Sequence, residues 1–279
     1  MSAIITDQIR ILNAKNFVSG VSTSDNAYYS FIGLPNPTDY QSDWDSSPPA
    51  PKDNFDQEND YWDNMIALKK INSDDIRQVV TRRVWSSGTT YDMYRDDYSR
   101  SNTAKVAGAT KLYSANYFVI NSDYRVYECL QNWIDPYNPN GRPSLDEPTF
   151  TDLEPSKAGD GVDGYTWKYL FTVSPNDIIK FDSTDYISLP ANWDTSTDAQ
   201  VTSVRNNGDS GVNENQIKQV YISDRGQGYS TGSWELNILG DGTGAKCVVD
   251  VNSSGNITNA VVSAGGKDYS FGVVDLGPI

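Results

Sequence analysis

A nine-residue segment with alternating side chains constrains the fold of this chain more than any other feature. Between Tyr165 and Val173 every second residue is aromatic or apolar, and the residues between them are Thr, Lys, Leu and Thr. Because neighbouring side chains of a strand point to opposite faces, this period of two predicts a half-buried strand. Such a strand needs partner strands and a core that covers one face, so the segment favours a β-rich fold.

Further segments rich in β-branched and aromatic residues lie between Gly, Asn and Asp, as expected for short strands separated by turns. They are 28–32, 117–120, 125–130, 234–239 and 245–251. Helix patterns are scarce and occur near residues 7–17 and 60–80. In the second region we predict one helix with Asp60 as its N-cap and another that begins at Ser73. The predicted fold class is mainly β (β-rich α+β), with two β-sandwich-like domains, a small helical part and long loops.

Two long, turn-rich connections separate these elements. Residues 33–60 and 132–163 each contain five prolines, and both are far longer than the usual connections of about 4–6 residues. They are either passive surface or arms that wrap neighbouring subunits. We therefore give the loop prolines a lower weight as interface candidates.

The composition becomes more polar near residue 195, which suggests a division of the chain. We predict a core over residues 1–195, a linker or long loop over 196–215, and a small repetitive β-module over 216–279. The module contains an internal repeat, because residues 217–230 resemble residues 257–270 at a constant offset of 40.

The composition excludes the commonest catalytic and metal sites. The chain has no histidine, so it has no Ser-His-Asp triad, no Cys-His pair and no imidazole ligand. Its two cysteines, Cys129 and Cys247, cannot form a four-thiolate site, and we expect free thiols in separate strands rather than a disulfide. With 22 Lys and Arg against 37 Asp and Glu, the net charge of −15 disfavours binding to a phosphate backbone.

No stretch reaches the roughly 20 apolar residues of a membrane helix, and the N-terminus shows no signal-peptide pattern. We therefore expect a protein made in a cytoplasm. We predict no catalytic residue, metal or cofactor, and no nucleic acid, membrane or small-molecule substrate as a partner.

Two loops rich in Gly and Asp, 160–164 and 240–245, resemble calcium or phosphate loops at first sight. The first lacks the ligand run of an EF-hand, and the second lacks the Lys-Ser/Thr of a P-loop. Tight β-turns require the same residues, so we interpret both loops as turns. The adjacent carboxylates Asp74-Asp75, Asp96-Asp97 and Asp146-Glu147 are interpreted as solvated acidic surface, although two facing carboxylates are also what a glycosidase needs.

The densest cluster of cations and aromatic residues lies between residues 80 and 98. Arginine forks and large aromatic side chains are the groups that anchor protein interfaces. Flanking aspartates oppose binding to nucleic acid, and a surface Arg–Asp network over aromatic packing is the alternative interpretation. The interface candidates are Arg82, Arg83, Trp85, Tyr91, Tyr94 and Arg95.

The order of several motifs resembles the baseplate wedge subunit encoded by gene eight in T-even-type contractile-tailed phages. The resemblance covers roughly residues 1–195. The motifs, in chain order, are Tyr28–Gly33, Trp44 with prolines 48–51, Tyr61–Ile66, Arg82-Arg-x-Trp85, Val126–Leu130, Gly159-Asp160 with Gly164–Phe171, and Asp185–Pro190.

The resemblance implies a catalytically inert, mostly β virion protein that is a homodimer in each wedge and contacts the other wedge proteins. It implies a location in the tail baseplate, after late expression and assembly in the host cytoplasm. The alternative function is a carbohydrate- or receptor-binding β-module of a phage tail, which would use exposed aromatic residues and Gly-Asp turns. A hydrolase with two carboxylates is a third, more distant hypothesis.

Overall fold

In a computed structural model, the described residues are 6–23, 27–33, 46, 50, 54–134, 137–191, 193, 195–197, 201–202 and 215–279. The chain forms two compact units, Met1–Gln78 and Val79–Ile279. The predicted division near residue 195 stays a prediction, and most of the predicted linker lies outside the described residues. The same holds for Trp44 and for the prolines between residues 34 and 53, and for Pro136.

Within its described residues, the first unit contains two helices and a two-stranded antiparallel sheet. Its elements are α1 (Asp7–Ser22), β1 (Tyr28–Gly33), α2 (Phe55–Asp63) and β2 (Met65–Ile71). The side chain of Thr6 caps α1 by accepting the Ile9 N–H at 3.3 Å. In the sheet, Phe31 of β1 lies opposite Leu68 of β2. The helix predicted near residues 7–17 is therefore confirmed, and it extends to Ser22.

The helical prediction for residues 60–80 is largely wrong. Asp60 lies inside α2 rather than at its start, and the chain changes to β2 at Met65. Pairing with β1 satisfies the main chain over this stretch, and this pairing outweighs an apolar spacing that also fits a helix. Ser73–Asp75 forms only a short 3-10 turn, which the Asp75 carboxylate closes by accepting the Asn72 N–H at 3.1 Å.

The second unit contains two four-stranded antiparallel sheets and one two-stranded sheet. The first four-stranded sheet has the order β4–β5–β7–β6, the second has the order β11–β10–β9–β12, and β3 pairs with β8. The strands are β3 (Val79–Thr81), β4 (Phe118–Ile120), β5 (Arg125–Asn132), β6 (Ser156–Lys157), β7 (Tyr165–Thr172), β8 (Tyr186–Ser188), β9 (Gly232–Gly240), β10 (Thr243–Val251), β11 (Ile257–Lys267) and β12 (Gly272–Val274). The helix α3 (Pro175–Phe181) precedes β8.

The alternating segment is β7, and its burial alternates as predicted. Tyr165, Trp167 and Tyr169 are almost completely buried, whereas the residues between them are half-buried. The rings of Tyr165 and Trp167 stack at 5.3 Å, and Trp167 lies opposite Cys129 of β5. This aromatic row is the centre of the core on the first four-stranded sheet, and the predicted mainly β fold is confirmed.

The second sheet has its own core, built from alternate residues of β9 and β10 together with Ile257 and Ala260 of β11. Cys247 lies in β10 and Cys129 in β5, and both are buried free thiols, as predicted. The sequence repeat, in contrast, is not a structural repeat. Residues 257–267 form β11 along β10, whereas residues 217–222 form no strand. Main-chain hydrogen bonds tie the first copy to β11 at Ile217 and at Arg225.

Candidate interaction surfaces

The candidate arginines at the start of the second unit are engaged within the chain. Arg82 forms an ion pair with Asp182, next to the C-terminal end of α3. The Arg83 guanidinium lies 4.5 Å from the centre of the Phe118 ring, and its Nε donates to Asn116 Oδ1 at 3.0 Å. Burial is the main influence on Arg83 and lowers its pKa. Both side chains therefore attach the residues that follow β3 to other parts of the second unit, Arg82 to the end of α3 and Arg83 to the start of β4.

The aromatic candidates divide between the core and the surface. Tyr91 is 4% exposed and meets Trp167 edge-on at 5.6 Å, so its side chain belongs to the core. Trp85 is half-buried and donates from Nε1 to Ser144 Oγ at 3.1 Å. Tyr94 is 43% exposed and therefore remains open to a partner.

Arg95 combines an ion pair with ring stacking. Its Nε donates to Asp97 Oδ1 at 2.9 Å, and its guanidinium lies 4.0 Å from the centre of the Tyr221 ring. The cluster is thus one connected region, as its sequence suggests, but its charged groups face other parts of the same chain. Among its large apolar side chains, the exposed ones are Tyr94 and Val84, which are 43% and 58% exposed.

Sequence reasoning missed the residue that organises this region. Asp92 is 1% exposed, and its carboxylate accepts N–H groups from Val106, Ala107 and Asn116 at 2.8, 3.2 and 3.0 Å. These bonds fix the irregular segment between β3 and β4. The available signal was the position of Asp92 between Tyr91 and Met93, two residues of the core.

The first unit exposes most of its apolar side chains. On the two-stranded sheet, six such residues have exposures between 37% and 65%, and together we call them the ribbon surface, which includes both faces of the sheet because neighbouring side chains of a strand point to opposite sides. They are Tyr28, Tyr29, Phe31, Ile32, Ile66 and Leu68. A two-stranded sheet is marginally stable by itself, and stability requires a further layer on its apolar side. The ribbon surface has the character of an interface without its partner.

The proline-rich segment 132–163 packs onto the first four-stranded sheet over most of its described length. Asn121 donates from its side chain to the carbonyl of Pro148 at 2.9 Å, and Phe150 meets Tyr127 edge-on at 5.3 Å. Ser144 is completely buried. This loop therefore contributes to the core of its own subunit.

The two Gly-Asp loops use their carboxylates to hold the main chain, as turns do. Asp163 accepts the N–H groups of Leu145 and Tyr165 at 2.9 and 3.0 Å. Asp241 accepts the N–H groups of Ser270 and Phe271 at 2.9 and 3.3 Å. Within the described parts of the chain, no three carboxylates or thiols come together in a way that could hold a metal ion.

The adjacent carboxylates also have structural contacts. Asp75 pairs with Lys69 at 2.7 Å, Asp97 pairs with Arg95, and Glu147 accepts the Ser122 N–H at 2.9 Å.

None of the helices in the described residues combines the length and the apolar character that crossing a bilayer requires.

An open cleft of about 410 Å³ lies in the second unit. One wall comes from the outer face and the edge of the first four-stranded sheet, with Trp133, Lys157 and Thr166. The other wall is the edge of β11 together with residues 216–222. Trp133 is the single aromatic residue among those that line it.

Comparison with known proteins identifies the family. The model of the family described as Bacteriophage T4, Gp8 matches residues 3–157, which is more than half of the chain. The chain belongs to this family. Its members are structural proteins of the phage baseplate, a part of the virion, so the resemblance found in the sequence is confirmed at that level. No curated protein matches the chain.

Proposed function

We propose that this chain is a subunit of the baseplate wedge of a contractile phage tail and acts by protein–protein assembly, without catalysis. It associates as a homodimer and with other wedge proteins, after late expression and assembly in the host cytoplasm. Membership of the Gp8 family supports the location. The observation that carries the mode of action is the ribbon surface of the first unit.

The ribbon surface supports assembly because its apolar side chains stay largely exposed, although the helices contact two of them: Tyr28 meets Phe17 edge-on at 5.9 Å, and the Phe31 ring lies 6.4 Å from the Tyr61 ring. Each of its six side chains is at least 37% exposed, so contact with a partner would remove much apolar area from water. Burial of apolar area contributes about 25 cal/mol per Å² and is the main favourable term in association. Aromatic residues such as Tyr28 and Phe31 are typical anchors of such contacts.

The cluster at residues 82–95 supports a second, smaller contact through Tyr94 and Val84. The arginines of the cluster act there by holding the exposed side chains in place, because their own charges already have partners within the chain. The net charge of −15 keeps free subunits apart until matched surfaces meet.

The test compares two charge-introducing variants at exposed isoleucines. Ile32→Asp places a carboxylate on the ribbon surface, at a position that is 65% exposed. Ile179→Asp is the matched control on α3, at a position that is 85% exposed. Both variants are co-expressed with the other baseplate proteins of the same phage, and complexes are sized by analytical ultracentrifugation.

We expect both variants to keep the circular dichroism spectrum of the wild type, because neither side chain is buried. Ile32→Asp should lose self-association and entry into wedge complexes, whereas Ile179→Asp should keep both. Wild-type assembly by Ile32→Asp would contradict the proposed role of the ribbon surface.

The alternative function as a carbohydrate-binding module has less support. Sugar-binding grooves rely on several aromatic rings, whereas the cleft of the second unit offers Trp133 alone.

A further inference from the structure

The helix α2 presents two exposed aromatic side chains on one face. Phe55 is 84% exposed and Trp62 is 63% exposed. Successive residues of an α-helix are turned by about 100°, so two residues seven positions apart point in nearly the same direction, about 10 Å apart along the axis. Tyr61, whose ring lies 6.4 Å from the Phe31 ring, is turned by about 100° from Trp62. The aromatic pair, which we call the α2 stripe, therefore differs from the side of the helix that contacts the ribbon surface.

Carboxylates flank the α2 stripe. Asp56, Glu58 and Asp63 are exposed, and the helix contains no basic residue. By the same rotation of about 100° per residue, Glu58 lies on one side of the stripe, and Asp56 and Asp63 lie on the other. Within the described residues, none of these three carboxylates has an ion pair or a side-chain hydrogen bond. Their charges are therefore available to a partner.

No face of α2 is buried among its described residues. Every residue of the helix whose burial is described is exposed. A helix of nine residues without such packing is marginal in water, where isolated helices need roughly 12–15 residues. Asp63 is also unfavourable, because it lies at the C-terminal end of the helix, where the carbonyl groups carry partial negative charge. A partner that covers the helix and places a cation at this end would remove both weaknesses.

These features select one kind of partner. Apolar side chains at positions i and i+7 are typical of helices that lie in an apolar groove of another protein. The exposed carboxylates require a basic rim around this groove. They disfavour anionic membranes and nucleic acid, both of which attract Lys and Arg. A second copy of the chain also fits poorly, because its net charge is −15.

We propose that α2 binds in an apolar groove, rimmed by Lys or Arg side chains, on another protein of the baseplate. Phe55 and Trp62 enter the groove as anchors, and Asp56, Glu58 and Asp63 pair with the rim. Binding stabilises the helix, because a cation next to Asp63 is favourable at the helix C-terminus. This inference rests on the proposed function, since it takes the partner from the assembled baseplate, but it uses a surface other than the ribbon surface.

Photo-cross-linking in purified baseplates identifies the partner directly. Phe55 is replaced by p-benzoylphenylalanine, the baseplates are irradiated, and mass spectrometry identifies the linked peptides. We expect links from this position to another baseplate protein. The absence of a link, or links only to a second copy of the chain, would overturn the inference. If the chain's peptides are absent from the baseplates altogether, the proposed function fails instead, so the two failures are distinguishable.

Two alanine variants test the aromatic anchors. Trp62→Ala removes one anchor, and Phe271→Ala is the matched control, because Phe271 is 61% exposed and belongs to the second unit. Both variants should keep the circular dichroism spectrum of the wild type. When each competes with the wild type for incorporation into baseplates, we expect Trp62→Ala to be depleted at least about tenfold and Phe271→Ala to be incorporated normally. Equal incorporation of the two variants would overturn the role of the α2 stripe.

A charge reversal separates binding from the stability of the helix. Asp63→Lys places a cation at the C-terminal end of α2, which favours the free helix. A basic rim repels the same cation, so we expect Asp63→Lys to be depleted at least about fivefold during incorporation. The control is Asp152→Lys, an equal change of charge at an exposed position of the second unit, which should be incorporated normally. Normal or improved incorporation of Asp63→Lys would overturn the basic rim and hence the proposed partner.

Discussion

The stability of the core depends on the hydrogen bonds of its buried polar side chains. Asp92 is the main example, because its buried carboxylate is the acceptor of three main-chain N–H groups. Asp92→Asn replaces one carboxylate oxygen by an NH₂ group, which cannot accept a hydrogen bond. We expect a loss of about 2–3 kcal/mol in the free energy of unfolding, measured by urea denaturation, because bonds to a charged acceptor are strong and an unpaired buried donor is costly.

The exposed neighbour Asp96 provides the control for this substitution. Asp96→Asn should change the free energy of unfolding by less than about 0.5 kcal/mol, as is usual for surface positions. Similar losses in the two variants would show that the effect comes from net charge and not from the three bonds to Asp92.

A second residue-level prediction concerns pH. Three hydrogen bonds to its ionised carboxylate, the largest contribution coming from the Ser270 hydroxyl, lower the pKa of Asp241 from its ordinary 3.8 to about 2. Because the pKa of Asp241 is lower in the folded state than in the unfolded state, its ionised carboxylate stabilises the fold. This stabilisation is fully present above pH 4 and is lost as the pH falls towards 2. Carbon-13 NMR titration should place the pKa of Asp241 near 2 in the wild type.

The variant Ser270→Ala removes the hydroxyl donor while keeping the Ser270 main-chain N–H. We expect the pKa of Asp241 to rise part of the way towards 3.8 in this variant. An ordinary pKa for Asp241 in the wild type would contradict the turn geometry found for residues 240–245.

At the scale of elements, the two buried thiols report separately on the two four-stranded sheets. Burial raises the pKa of both: that of Cys129 well above its ordinary range, and that of Cys247 to about 11. Neither should react with a thiol reagent in the native protein. Lys218 pairs with Glu154 at 2.6 Å and Arg95 stacks on Tyr221, so residues 216–225 are attached to the rest of the second unit. We therefore expect both thiols to become reactive at the same urea concentration.

Pulsed labelling followed by peptide mass spectrometry assigns each signal to its cysteine without any substitution. If the two thiols became reactive at different urea concentrations, this would support the division predicted from the sequence, in which residues 216–279 form a module of their own.

The sequence predicts those elements whose pattern is set by their own residues. The strand at β7 is one case, because its alternation directly encodes one buried and one half-buried face. The stretch after Asp60 is the opposite case. Its apolar spacing fits a helix, and only the pairing of β2 with β1, more than thirty residues earlier in the chain, makes it a strand. Local patterns do not contain such distant partners.

The candidate site shows the same division. That Arg82, Arg83 and Arg95 belong to one region with aromatic residues follows from their closeness in the sequence. Which of these arginines face outward does not follow from the sequence. Arg82 pairs with Asp182 and Arg95 stacks on Tyr221, and both partners come from distant segments.

At the scale of the whole molecule, the chain is a β-rich baseplate protein whose described residues hold neither a metal cluster nor a bilayer-spanning helix. Its distinctive features are an apolar ribbon surface and a net charge of −15. They support the proposed function as a subunit that acts by contact with other proteins.

Immunogold electron microscopy of purified, complete virions of the phage that encodes the chain tests whether it is a component of the tail baseplate. We predict gold label at the baseplate end of the tail and only background label on the head and along the tail tube. Virions without label at the baseplate, when the antibody recognises the free subunit, would contradict this location.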